Sequence, residues 1–148
     1  MTDALNALVG TWTIEASHPM LDGVVRGEAT FEWLEGEKFL IHRSRNDHPD
    51  APDSVSIIGA PDGGELAMHY FDSRGVKRLF MTALDGSAWK IWRAPGEDWN
   101  GPDGPGFNQR FIGEISADGT MIDGRWERGM GEAGDEWSVD FPITYVRT

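Results

Sequence analysis

The sequence predicts an all-β fold, a closed antiparallel up-and-down barrel of about ten strands with a short N-terminal helix, and three observations predict it. Asp-Gly occurs at Asp22-Gly23, Asp62-Gly63, Asp85-Gly86, Asp103-Gly104, Asp118-Gly119 and Asp123-Gly124, and this dipeptide favours the positive-φ turns that close tight hairpins. Between these points lie segments rich in β-branched and aromatic residues, too short for most helices. The segments also alternate, apolar on one side and polar on the other. With no helices to cover the apolar side, the sheet must close on itself or pack on a second sheet.

The elements follow in order. Residues 3–9 read as the one helix, with Thr2 as N-cap and Leu5, Leu8 and Val9 on one side. A helix this short needs a surface, and the end of a barrel supplies one. Strands are expected over 11–18, 24–34, 38–45, 55–60, 65–71, 76–84, 88–93, 107–115, 120–128 and 136–146. In the second, Val25, Ala29, Phe31 and Trp33 oppose Arg26, Glu28, Thr30 and Glu32. In the eighth, Phe107, Gln109, Phe111 and Ile115 oppose Asn108, Arg110 and Glu114; in the last, Trp137, Val139, Phe141 and Ile143 oppose Glu136, Ser138 and Asp140. Two loops are long: 48–53, with two prolines, and 94–106, with three prolines, four glycines and Trp99. The second reads as a lid over a barrel mouth.

Composition bounds the function. The 148 residues amount to one domain, 1–148, with 13 Lys+Arg against 25 Asp+Glu and a net charge of −12. So acidic a surface repels nucleic acid and anionic membranes. No cysteine is present, no apolar run approaches a bilayer span, and the N-terminus lacks a signal-peptide pattern. The expectation is a cytoplasmic protein. Seven tryptophans supply much rigid aromatic surface, for a core or around a ligand.

The segment Leu8-Val9-Gly10-Thr11-Trp12 after a short helix resembles the Gly-x-Trp opening of lipocalin-like calycins. Residues 29–40, Ala29 to Leu40, and His69-Tyr70-Phe71-Asp72-Ser73-Arg74-Gly75 resemble a bacterial family with calycin-type, fatty-acid-binding-protein-like barrels. That resemblance implies the fold and brings no function with it. Nitrobindin, a ten-stranded barrel that binds haem through a late histidine, is a more distant likeness. Here Thr13-Ile14-Glu15-Ala16 replaces its glycine-rich segment and no histidine follows His69. The resemblance therefore implies no haem, and no cofactor is expected.

Individual residues point to a lumen site. His18 and His48 lie at a strand end and in a Pro/Asp-rich loop, whereas His42 and His69 fall inside strands. His69 shares a side with Ala67 and Phe71, which reads as inward, where a histidine serves as acid/base or satisfied core residue. No His spacing suits a metal, and the Asp47, His48, Asp50, Asp53 cluster reads as a solvated loop. Gln109 sits between Phe107 and Phe111, Tyr70 lines up with Leu66 and Met68, and Arg43 alternates with Phe39 and Ile41. An inward Arg43 would need a carboxylate partner from protein or ligand; an outward one would not. Small residues on the dry faces (Gly27, Ala29, Gly59, Ala67, Gly113, Gly124) suggest residual space.

The expected function is binding of a small hydrophobic or amphipathic molecule in the barrel lumen. Trp33, His69, Trp92, Phe107, Gln109, Phe111, Trp126 and Trp137 would line the site, with Arg43 and Tyr70 as polar anchors. The alternative is a cofactor-free isomerase, cyclase or hydratase in the same cavity, with His69 as acid/base. A homodimer through sheet faces, anchored by Trp89 or Trp99, is a third reading.

Overall fold

The computed structural model describes residues 2–21, 23–60, 64–94, 108–130 and 135–148. Ten strands are present: β1 Gly10–Ala16, β2 Val25–Trp33, β3 Phe39–Asn46, β4 Ser54–Gly59, β5 Leu66–Asp72, β6 Lys77–Asp85, β7 Ala88–Arg93, β8 Asn108–Ile115, β9 Met121–Met130 and β10 Glu136–Arg147. Each pairs antiparallel with its sequence neighbours, and β1 pairs with β10, closing an up-and-down barrel. Every predicted strand is there, within two residues at each end.

The turns follow the glycines. Gly23, Gly36, Gly75, Gly86 and Gly119 all have positive φ, four of them in the type of hairpin that Asp-Gly or a comparable pair predicts. Among the described residues Asp123-Gly124 is the exception: it runs through β9, where Gly124 faces Gly113 across the ladder; Asp62-Gly63 and Asp103-Gly104 lie outside the described residues. The N-terminal helix also differs from expectation, being a 3-10 helix over Thr2–Ala7. So short a segment does not recover the nucleation cost of an α-helix, and the tighter helix still delivers Leu5 and Leu8 to the interior.

That helix stoppers one end of the barrel. Leu5, Leu8, Trp12, Phe31, Leu40, Ile58, Trp89, Phe111 and Ile122 are almost completely buried there. The Trp12 indole N–H donates to Leu8 O at 2.8 Å, and the Trp33 indole N–H donates to Asn6 Oδ1 at 2.8 Å. Arg147 at the end of β10 lies over the Trp12 ring, 4.1 Å from its centroid. It donates to the carbonyls of Val9 at 2.6 Å, Ala7 at 2.9 Å and Gly119 at 3.1 Å. Gly10 adopts φ +133°, and a Cβ there would stand 2.5 Å from Arg147 Nη1. Glycine is thus required at that position by both backbone and space.

The glycines of β8 and β9 are filled rather than empty. A Cβ on Gly113 or Gly124 would lie 2.7 Å or 2.5 Å from the Phe111 ring. On the outer wall Phe39 covers Gly59 in the same way; on the inward phase of β2, Asn46 with the Arg45 carbonyl covers Gly27. Ala67 lies between the buried Leu66 and Met68 in the strand pattern and so faces outward. The inference that small residues leave a cavity is corrected: at these glycines the space holds neighbouring rings and side chains.

Candidate functional site

Along its axis the interior changes character. At the stoppered end a chain of rings runs from Phe31 to Trp89 (5.9 Å), Phe111 (5.0 Å) and Trp126 (5.6 Å). Trp89 donates its indole N–H to Thr82 Oγ1 at 3.0 Å, which satisfies a polar handle that burial would otherwise penalise. Towards the opposite end more of the inward positions are polar, some buried and some only half-buried.

Two cross-strand rows define that end. His42 faces Ser56, Ser56 faces Tyr70, and Tyr70 faces Arg78, one inward row across β3 to β6. Gln109 faces Arg128 and Arg128 faces Ser138, a second row across β8 to β10. Arg78 joins them past β7, its Nη1 donating to Gln109 Oε1 at 3.4 Å. On β7, Arg93 alternates with the inward Trp89 and Ile91, is buried, and sits 5.8 Å over the Phe80 ring. Phe80 in turn meets Tyr70 and Trp126 edge-on, at 6.0 and 5.8 Å.

Electrostatics divide these groups. The Tyr70 hydroxyl donates to Asp72 Oδ2 at 2.8 Å, and Arg74 Nη2 donates to the same oxygen at 2.6 Å. Burial, then the Asp72 carboxylate, raises the Tyr70 pKa, so the phenol stays protonated. Burial pushes the Asp72 carboxyl up, but its hydrogen bonds from Arg74 and Tyr70 outweigh that and hold it below its ordinary value. His42 is different. It stacks on Phe31 at 4.1 Å, nearly parallel, and neither ring nitrogen has a hydrogen-bond partner. Burial lowers its pKa to about 4, so at neutral pH it is an uncharged imidazole inside the barrel.

The expected site residues divide accordingly. Tyr70, Gln109 and Trp126 face inward at the polar end, Phe111 faces inward within the ring stack, and Trp33 faces inward beneath the helix. Phe107 and Trp99 lie outside the described residues, as does, from its second residue onward, the loop 94–106 read as a lid. Three expectations of inward placement, for His69, Trp92 and Trp137, are corrected, and Arg43, for which both placements stood open, faces outward. His69 is exposed on the outer wall because Leu66, Met68 and Tyr70 take the inner one; these bury more apolar surface than Ala67 and Phe71 would. Arg43 is exposed because Leu40 and His42 set the inward phase of β3. Trp92 cannot share a face with Trp89, three residues away on a strand, and lies outside.

Trp137 is displaced by a bulge. The β9–β10 register shifts between Val139 and Phe141, so Phe141 and Ile143 face inward while Trp137 and Val139 face out. On the outer wall Trp137 stacks against Arg110, whose Cζ is 3.9 Å from its ring centroid. Arg110 and Arg125 hold Glu127 at 2.5 and 2.8 Å. Burial raises the Glu127 carboxyl, but the two guanidiniums more than offset this and keep it below its usual value.

Sequence reading missed Arg78, Arg93 and Arg128, and passed over His42 for His69. The available signal was phase: each stands two residues from an inward aromatic or aliphatic residue on its strand. Among the described residues, no group of three or more His, Asp or Glu is placed to hold a metal ion. No helix among them is long and apolar enough to cross a membrane.

The chain is similar in fold to Rv2717c of M. tuberculosis. The solved structure of that protein superposes with a TM-score of 0.63 at 12% identity, covering 99% of this chain and 96% of the other. At that identity the likeness concerns the fold alone. No protein-family model and no curated protein matches the chain.

Proposed function

We propose that this protein binds a small apolar or amphipathic molecule inside its barrel, at the end opposite the 3-10 helix. The observation that carries this reading is the axial asymmetry of the interior. One end is packed with buried rings and capped by Leu5 and Leu8. At the other, Tyr70, Arg78, Gln109, Trp126 and Arg128 face inward yet remain only half-buried. Apolar walls with a few convergent polar groups are the usual form of a small-molecule site. Ten strands also make a wider barrel than the eight that side chains alone can fill. The calycin kinship read from Gly10-Thr11-Trp12 belongs to the same proposal.

Native mass spectrometry of gently purified protein, with organic extraction, tests it. A stoichiometric extra mass that Trp126→Ala loses is the expected result. A bare polypeptide mass, together with no change in tryptophan emission on titration with amphipathic probes, would overturn it.

The second reading, a cofactor-free enzyme using this cavity, is favoured by one observation: a buried, uncharged histidine without a partner faces the lumen. That histidine is His42, not His69. A pKa of about 4 makes it a weak base at neutral pH and suits it to hydrogen bonding rather than proton abstraction. Turnover of any substrate found in the extract that persists in His42→Gln would remove this reading.

A further inference from the structure

The inner wall is divided around its circumference as well as along its axis. From the open end inwards, β3 presents Asn46, Ser44 and His42, and β4 presents Ser54 and Ser56; Leu40 and Ile58 follow. All five of the polar side chains are uncharged at neutral pH, His42 included. The Asn46 amide is engaged, donating to Pro52 O at 2.8 Å. Next to Ser54 in the ladder comes Asp72, whose carboxylate is held by Arg74 and Tyr70. In the closed ring β3 and β4 lie five strands from β8 and β9 in either direction, and so across the lumen from them. On that side Trp126 of β9 and Phe141 of neighbouring β10 are inward aromatics that remain half-buried.

His42 ends the polar stripe. It is buried, its ring lies 4.1 Å from that of Phe31, and neither Nδ1 nor Nε2 has a hydrogen-bond partner. A neutral imidazole carries one donor and one acceptor, and leaving them unmade inside a barrel is costly.

We infer that the lumenal ligand is an uncharged aromatic or polycyclic molecule with hydroxyl groups along one edge, the innermost hydrogen-bonded to His42 and the apolar face against Trp126. The inference rests on the lumenal binding reading. A hydroxyl both donates and accepts, so it can satisfy either nitrogen of the imidazole. A hydrocarbon leaves both orphaned. A carboxylate or phosphate only accepts, and along β3 and β4 it meets hydroxyls and an imidazole but no inward cation. The inward arginines do not call for a charged ligand: Arg78 donates to Gln109, and Arg93 and Arg128 have interactions of their own. Alternate residues on a strand stand about 7 Å apart, so a second hydroxyl at that spacing on the same edge meets Ser44.

The test is a set of tryptophan-quenching titrations with 2-naphthol, its apolar isostere 2-methylnaphthalene and the anion 2-naphthoate. His42→Phe should lower the ratio of naphthol to methylnaphthalene affinity about tenfold, the effect of one hydrogen bond to a buried group. 2,7-Dihydroxynaphthalene carries two hydroxyls on one edge and should bind more tightly than 2-naphthol, an increment that Ser44→Ala removes. If His42→Phe fails to fold, imidazole nitrogen NMR of the natural protein reads the same contact. The His42 signals should shift on saturation with 2-naphthol and stay nearly unmoved with 2-methylnaphthalene.

An affinity ratio unchanged in His42→Phe, imidazole signals that 2-naphthol does not move, or naphthoate binding more tightly than naphthol would overturn the inference and leave lumenal binding standing. Failure of all the probes to bind would overturn both.

Discussion

His42 should make this protein acid-sensitive in a window where most carboxylates are still ionised. Its imidazole is buried with no hydrogen-bond partner, and burial takes its pKa from 6.5 in the open chain to about 4 in the fold. The folded state therefore binds fewer protons than the unfolded state between those values. Stability must fall as pH drops through that window and level off below about 4. Each pKa unit corresponds to about 1.4 kcal/mol, so the loss between about pH 7.5 and pH 5 is about 2 kcal/mol, approaching 3 near pH 4. For a chain of this length that is roughly 4–8 °C in Tm.

The assay is urea unfolding of the natural protein and His42→Phe in parallel at several pH values. Phenylalanine preserves the stack on Phe31 and cannot titrate. Other groups contribute equally to both curves, so the difference isolates His42. It should change by about 2 kcal/mol between about pH 7.5 and pH 5, with the variant the more stable at acid pH. At neutral pH the variant should gain about 1 kcal/mol, since an unsatisfied buried polar group is removed. A difference that does not vary with pH would refute the reasoning, showing that the imidazole is solvated or partnered in solution.

Other perturbations test the packing around it. Gly124→Ala drives a Cβ into the Phe111 ring and should cost about 1–3 kcal/mol, largely recovered by adding Phe111→Leu; a double-mutant cycle in urea reads the coupling. Arg147→Met leaves three carbonyls without their donor and should cost about 2–4 kcal/mol by thermal melting. Glu127→Gln breaks the paired guanidinium contacts of the outer wall at a cost of about 1–3 kcal/mol, which should shrink as acid protonates the natural carboxylate. Trp126→Phe should abolish any ligand-induced change in emission, whereas Trp92→Phe and Trp137→Phe should preserve it.

The fold was legible because its signals are local. Turn glycines and alternating segments survive without knowledge of partners, and all ten strands lie where they were expected. The site was less legible because inward and outward differ by one residue, and some strands carry apolar groups in both phases. In β5 Leu66 and Met68 compete with Ala67 and Phe71, and only closure of the barrel decides between them. In β10 a single bulge turns Trp137 outward while Phe141 stays in. No composition rule announces that bulge. Arginines attract little notice in a core search, yet phase places Arg78, Arg93 and Arg128 inside as firmly as the aromatics beside them.

The two ends of this barrel meet opposite physical demands, and the sequence separates them along the axis. At the stoppered end polar handles near the rings find partners: Trp12 in Leu8, Trp89 in Thr82, Arg147 in three carbonyls. Such packing supplies stability and leaves nothing to offer a ligand. At the other end, the unpartnered imidazole of His42 lowers stability. Local choices that oppose folding persist where function needs them, supported by the remainder of the fold. His42 stands at the boundary, stacked on Phe31 of the packed end and in register with the Ser56, Tyr70 and Arg78 row of the open one. If a ligand reaches that far, the imidazole gains its missing hydrogen bond, and binding should then narrow the stability gap between the natural protein and His42→Phe.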